Sequence, residues 1–366
     1  MNLTEFRKHY RYDPSYDKIG EGGFAKVYKA RDMYYNRDVA LKFYYGSLGD
    51  RYSVQAELDK VVRLNHPNLI KYYAVETLDA PEEDWRANDG KVQVGIMEYA
   101  NGGDLDDFMT SFPTIEAIQK IAREILEALA YLHDNHIIHR DIKPQNILMH
   151  KNGNTWTVKI ADFGLARQTG DSHLSSKLLG TVEYIAPEQL DVAQFGINGK
   201  LATNVDLWGL GIIFAEIFTG ETPFGSRAEG VSHEQVMFNI LKKDPSVSLQ
   251  NVMQPYRDMI NWCLRKHATE RVQSAHDLLA MLDGGKKAPT FEQKTPTPNI
   301  EMPLSQTTLT AIVVLSALFT PIVGLLYYLN LRSSQPLNAQ RAARILPIAV
   351  ICWVIVWSII YLFAMS

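Results

Sequence analysis

Asp141, Lys143 and Asn146 are an acid, a cation and an amide at fixed offsets within the octapeptide HRDIKPQN, His139 to Asn146. A hydroxyl that attacks the terminal phosphate of a nucleotide needs a carboxylate to orient it and take its proton. It also needs a cation beside the moving group and a neutral oxygen to help hold a metal ion. The three residues have the types those jobs require, so the chemistry they point to is phosphoryl transfer. The apolar pairs Ile137–Ile138 and Ile147–Leu148 read as short buried strands around this polar turn, a candidate catalytic loop. A solvated surface turn explains a lone Asp-x-Lys, but the whole octapeptide is too specific for that reading.

Other stretches must position that loop. IGEGGFAKVYKARD, Ile19 to Asp32, is a glycine-rich turn between residues of strand type, and Gly20, Gly22 and Gly23 would let backbone N–H groups approach an anion. A hairpin turn with spare glycines would look similar. DVALKFYY, Asp38 to Tyr45, alternates as a strand, with Lys42 among apolar neighbours, where it either snorkels outward or pairs with an acid. Val54, Leu58 and Val61 share a helical face, and Glu57 lies beside that stripe as a candidate partner for Lys42. Ile118, Ile121, Ile125, Leu129 and Leu132 repeat at helical spacing behind a capping Thr114, predicting a long helix that delivers the chain to His139. TVKIADFG sets Asp162 directly after a strand. Val205 to Phe218 is apolar nearly all round yet contains Asp206 and Glu216, which makes it a buried helix rather than a membrane span.

The 366 residues allow two or three domains, and a net charge of −4 gives no pointer to a nucleic-acid partner. Cys263 and Cys352 stand far apart, arguing against a disulfide framework or zinc site and fitting a reducing compartment. The polar N-terminus has no apolar h-region, so no cleavable signal peptide is expected. Gly284 to Thr308, rich in Pro, Thr, Gly and Lys, reads as a tether. Residues 309–329 and 345–364 read as transmembrane helices, each lacking charge. Two spans would set Arg332, Arg341 and Arg344 on the far side from a cytosolic body, against the preference of positive loops for the cytosol. A re-entrant first run, broken at Pro321 and Gly324, is the alternative; two spans, oriented by the folded body, are favoured. The expectation is a membrane protein with its catalytic body in the cytosol.

GEGGFAKV, VALK, LNHPNLIKYY, IMEYANGGDL, HRDIKPQN, DFG, GTVEYIAPE and DLWGLG occur in this order, and through them residues 12 to 283 resemble the eukaryotic-type serine/threonine protein kinases. The resemblance implies an α+β bilobal protein-kinase fold, with a β-rich N-lobe over 12–97, a hinge over 98–101 and a helical C-lobe over 102–283. It implies ATP and Mg2+ as cofactors and protein substrates with Ser/Thr acceptors as partners. By the same resemblance, Gly20, Gly22 and Gly23 look like the lid over the phosphates, Val27 and Ala40 like the roof over adenine, and Ile19 and Leu148 like further cofactor-binding positions. Lys42 and Glu57 look like the strand-to-helix ion pair, Met97 like the back of the pocket, and Glu98 to Ala100 like the hinge whose backbone bonds adenine. Asn146 and Asp162 would hold Mg2+, with Phe163 packing beneath the helix of Glu57.

From Asp162 to Glu188 runs an expected activation segment. Arg140 and Arg167 invite a phosphate supplied by Thr169, Ser172, Ser175 or Ser176, and self-association for autophosphorylation is one expected route. Thr181 and Lys143 resemble the serine/threonine-specific branch. Glu188 should pair with Arg271, and Asp206 should bond the backbone of the catalytic loop. Two departures stand out: Ala25 where the glycine-rich pattern has its third glycine, and His267-Ala268 where Asp-Pro usually stands. DAPEEDWRANDGK, Asp79 to Lys91, is expected as a long hairpin loop on the small lobe. Presence of Lys42, Glu57, Asp141, Asn146 and Asp162 favours an active kinase; a catalytically silent nucleotide-binding pseudokinase or scaffold is the alternative.

Overall fold

In the computed structural model, residues 2–22, 25–44, 61–79, 91–162 and 182–285 are described. Six strands form one antiparallel sheet: β1 (Tyr10–Arg11), β2 (Lys18–Gly22), β3 (Ala25–Asp32), β4 (Arg37–Tyr44), β5 (Tyr72–Asp79) and β6 (Lys91–Glu98). Their order is β1-β3-β4-β6-β5, with β2 also paired to β3. Asp79 pairs with Lys91 at the end of the β5–β6 ladder, and the acidic insertion between them, expected as a hairpin loop, lies outside the described residues.

Because side chains alternate across a strand, register decides what each face of this sheet is for. Tyr28, Val39, Leu41, Phe43, Val94 and Ile96 form a dry cluster on one face. It is closed by α1 (Leu3–His9), whose Phe6 is fully buried, and by Tyr10. Asn2 accepts from the Glu5 backbone N–H at 2.9 Å, which caps α1 and orients it over the sheet. On the other face, Val27 stands opposite Lys42, and Ala40 opposite Met97.

The helical part begins with α2 (Leu105–Met109) and α3 (Ile115–Asp134). Thr114 accepts from the Ala117 backbone as the cap predicted for α3, and Ile121, Ile125, Leu129 and Leu132 are buried. A two-stranded ladder, β7 (Ile147–Asn152) with β8 (Thr155–Ile160), follows the candidate loop. Then come α4 (Pro187–Leu190), α5 (Val192–Phe195), α6 (Val205–Thr219), α7 (His233–Lys242), α8 (Tyr256–Cys263) and α9 (Ala275–Leu282). α6 is the buried helix expected from its composition, with every residue from Val205 to Ala215 inside.

One expectation is corrected. Ile147 does open a strand, but Ile137–Ile138 does not form one. The Ile137 N–H is taken by the Leu132 carbonyl at 2.9 Å as α3 unwinds, so the pair is half-buried in irregular chain. Among the described residues no helix is long and apolar enough to cross a membrane; the runs 309–329 and 345–364, and the tether beyond Gly285, lie outside them.

Candidate active site

The candidate loop is held from below by α6. Asp206, in the first turn of that helix, accepts from the backbone N–H of His139 at 2.8 Å and of Arg140 at 2.6 Å, and His133 Nε2 lies 2.9 Å from the same carboxylate. This is the buried, satisfied role expected of Asp206. A side chain at Gly209 would set its Cβ 2.5 Å from the Ile142 carbonyl oxygen, so the absence of one lets the loop lie directly on the helix. Arg140 is thereby held at φ +65°, and Asp162 stands at φ +63°. Left-handed backbone at non-glycine residues costs free energy, and surrounding bonds must hold it there.

Within the loop, Lys143 Nζ lies 3.1 Å from Asp141 Oδ2. Asn146 donates from Nδ2 to the Asp141 carboxylate at 2.9 Å and to the Asp141 carbonyl at 2.7 Å. With its nitrogen so committed, the amide oxygen of Asn146 is the atom left for a cation. Two bonds tie the loop to the strand end that carries Asp162: His139 Nε2 with the Ala161 carbonyl at 2.8 Å, and the Ala161 N–H to the Asn146 carbonyl at 2.8 Å. His139 is fully buried, which makes it a tie rather than a reactant.

Lys42 pairs with Asp162. Burial pulls the ammonium's pKa down, but the carboxylate of Asp162, with Tyr72 and Asp141 adding to it, outweighs that and holds it above its ordinary value. Glu57, the partner suggested by sequence, lies outside the described residues, as do Gly23, Phe163, Arg167, Thr169, Ser172, Ser175, Ser176 and Thr181. The structure thus brings Lys42, Asp141, Lys143, Asn146 and Asp162 into one linked cluster.

Around it, Val27, Ala40 and Met97 share the Lys42 face of the sheet; Ile19 and Gly22 lie exposed on β2, and Gly20 and Leu148 are half-buried. Glu98 ends β6, and its N–H donates to the Lys71 carbonyl at 2.8 Å, leaving the backbone of Tyr99 and Ala100 beyond the ladder. Sequence reading valued Glu98 only for its backbone. Its carboxylate in fact accepts from Lys159 Nζ, 2.8 Å from Oε1, and from the Lys71 N–H at 3.3 Å, joining the end of β6 to β8. Lys159 went unread because one lysine in a strand carries no signal of its partner.

Among the described residues no group of three or more His, Cys, Asp or Glu could hold a metal ion by itself. The Asp162 carboxylate and the Asn146 amide oxygen are hard donors of the kind Mg2+ takes, and that ion usually completes its shell with water and phosphate oxygens. The residues therefore fit a nucleotide-borne Mg2+. Further along, Arg271 grips Glu188 through both nitrogens, at 2.5 and 2.8 Å, with both side chains fully buried, the pairing expected from sequence.

The family model for the protein kinase domain matches residues 14–281. The chain belongs to the protein kinase family. This kinase domain is similar to serine/threonine-protein kinase PrkC of Bacillus subtilis, 32% identical over 289 residues, which cover 75% of this chain and 41% of that one. It is similar to serine/threonine-protein kinase PknB of Mycobacterium leprae, 31% identical over 277 residues (73% and 42%), and to ATG1b of Arabidopsis thaliana, 30% identical over 263 (70% and 34%). The kinase thus spans well under half the length of these curated relatives. Among solved structures, Rad53 in complex with AMP-PNP aligns with a TM-score of 0.56 at 27% identity, over 75% of this chain and 65% of that one. The fold is accordingly the protein-kinase fold, a β-rich part followed by a helical part.

Proposed function

We propose that this chain is an ATP-dependent serine/threonine protein kinase acting on protein substrates. The reading rests on one observation: Asp141, Lys143 and Asn146 touch one another, and the loop that bears them is bonded to the strand end of Asp162, the partner of Lys42. Asp141 orients the acceptor hydroxyl and takes its proton. Lys143 balances the charge of the group in transit. Lys42 steers the phosphates, and Asn146 with Asp162 holds Mg2+, which supplies Lewis-acid neutralisation of phosphate charge when bound. Ile19, Gly20, Gly22, Gly23, Val27, Ala40, Met97 and Leu148 enclose the nucleotide, whose base meets the backbone of Glu98 to Ala100. AMP-PNP in the Rad53 complex supports the choice of ATP. The serine/threonine relatives, with Lys143 and Thr181, support the acceptor class.

Incubated with labelled ATP and Mg2+, the full chain is expected to transfer phosphate to serine and threonine, and Asp141→Ala to lower the rate about 100- to 10,000-fold. Equal labelling by both proteins overturns the reading. Phosphorylation at Thr169, Ser172, Ser175 or Ser176, by a second copy or by another kinase, orders the activation segment against Arg140 and Arg167; unchanged turnover with all four as alanine would sink that part.

The same reading anchors the chain in a membrane through 309–329 and 345–364, with the kinase domain cytosolic, where ATP is. Alkaline carbonate should leave the full chain in the membrane pellet and release a chain ending at Asp283. Recovery of both in the soluble fraction removes the anchor.

A further inference from the structure

Behind Lys42 the sheet carries a polar arrangement that the reaction, as described so far, does not use. Tyr44 lies two residues beyond Lys42 on β4 and so shares its face. The Tyr44 hydroxyl is 3.3 Å from the Tyr72 hydroxyl of β5, and both phenols are buried. Between their strands runs β6, where Gly95 pairs with Lys42 on one side and Val75 on the other. A Cβ on Gly95 would come 3.0 Å from Tyr72 Cε1 and 3.5 Å from the Tyr44 hydroxyl. Thus three strands cooperate: one supplies a phenol beside the lysine, one a second phenol, and the central one withholds a side chain so that both fit.

The Tyr44 ring of this pair faces an ammonium. Lys42 Nζ stands 5.6 Å from the centroid of the Tyr44 ring, within the range in which a ring's negative face attracts a cation. Only 8% of the Lys42 side chain is exposed, so water solvates little of its charge. Asp162 balances that charge, but on the reading above Asp162 also turns its oxygens to Mg2+ and is then a weaker partner. A fixed dipole that no metal draws away would keep the ammonium in place through that exchange.

We propose that Tyr44 and Tyr72 are positioning residues for Lys42: their coupled hydroxyls and the Tyr44 ring form a neutral, preorganised polar floor that holds the ammonium toward the phosphates. This rests on the assignment of Lys42 to the nucleotide. Burial raises the pKa of both phenols, so each stays a neutral dipole and never adds a competing negative charge. Gly95 is part of the device, because a Cβ there would crowd the Tyr72 ring and force it to shift beside Tyr44.

The test uses the full chain with Tyr44→Phe, Tyr72→Phe and Lys42→Met, measuring KM for ATP, KM for an acceptor protein and kcat. Each phenylalanine variant keeps its ring but takes one partner from the buried hydroxyl pair, and the expected result is an ATP KM raised about fivefold with acceptor KM unchanged and Tm modestly lowered. A rise confined to the ATP KM, with kcat and the acceptor KM held, separates positioning of Lys42 from a general loosening of the fold. Gly95→Ala should reproduce the rise in ATP KM with the hydroxyls intact. If the phenylalanine variants match wild type while Lys42→Met loses ATP, the floor is refuted and the assignment of Lys42 stands. If Lys42→Met itself leaves the ATP KM unchanged, the assignment fails and this inference with it.

Discussion

Arg271 and Glu188 illustrate what a single residue decides. Both side chains are withdrawn from water, so removing one leaves the other charged and unsolvated. Arg271→Met is expected to cost about 3–5 kcal/mol in urea unfolding, whereas replacing both partners by apolar residues should cost less. The Glu98 and Lys159 pair is milder, with side chains 19% and 13% exposed. Lys159→Met should cost about 1–3 kcal/mol and raise the ATP KM by loosening the hinge from the strand that leads to Asp162. Legibility differs between the two pairs. Glu188 and Arg271 each lie near a recognisable motif, so the family resemblance joined them in advance. Sequence left Lys42 either to snorkel outward or to pair with an acid; its contact with Asp162 spans 120 positions in the chain, and no local pattern names a partner across such a gap.

At the scale of elements, α6 carries more than its apolar letters suggest. Its first turn holds the catalytic loop through Asp206, and its last turn presents Glu216 to the Tyr184 hydroxyl, which donates to it at 2.7 Å. Burial first, then the neighbouring carboxylates of Asp106, Glu183 and Glu229, raise the Glu216 carboxyl to about 7, although the Tyr184 hydrogen bond acts the other way. A carboxyl raised by folding contributes stability that is complete below its unfolded value and is lost as pH rises through the folded one. Thermal stability should therefore decline as pH climbs through about 7, and Glu216→Gln should flatten that decline; an unaltered slope would mean another group is responsible. Long elements such as α3 and α6 were readable because their apolar spacing runs for several turns and each has a cap or a stop. Ile137–Ile138 misled because two apolar residues look alike whether they pair in a ladder or merely follow a helix end. α1 was missed altogether: Leu3, Phe6 and Tyr10 have helical spacing, but charges crowd between them and the sheet they cover lies elsewhere in the chain.

For the whole molecule, the small-lobe sheet separates two tasks by face, and no strand in it can slip by one residue without exchanging them. Lys42 would then enter the dry cluster and Phe43 the nucleotide side. Phe6 marks where that cluster ends, and it lies ahead of residue 14, where the family match begins. Phe6→Ala is expected to cost about 3–5 kcal/mol, measured by unfolding of the full chain, with the ATP KM of the folded fraction little changed. A loss below 1 kcal/mol would mean that α1 only rests on the sheet. α1 also imposes an order on biosynthesis. The ribosome releases it before the sheet, since Phe43 and Leu78, which share its cluster, and Asp79, which bridges to Asn2, follow dozens of codons later. Its apolar stripe must therefore wait for the sheet it will cover, and a nascent chain stalled before β6 would still display that stripe to any chaperone nearby.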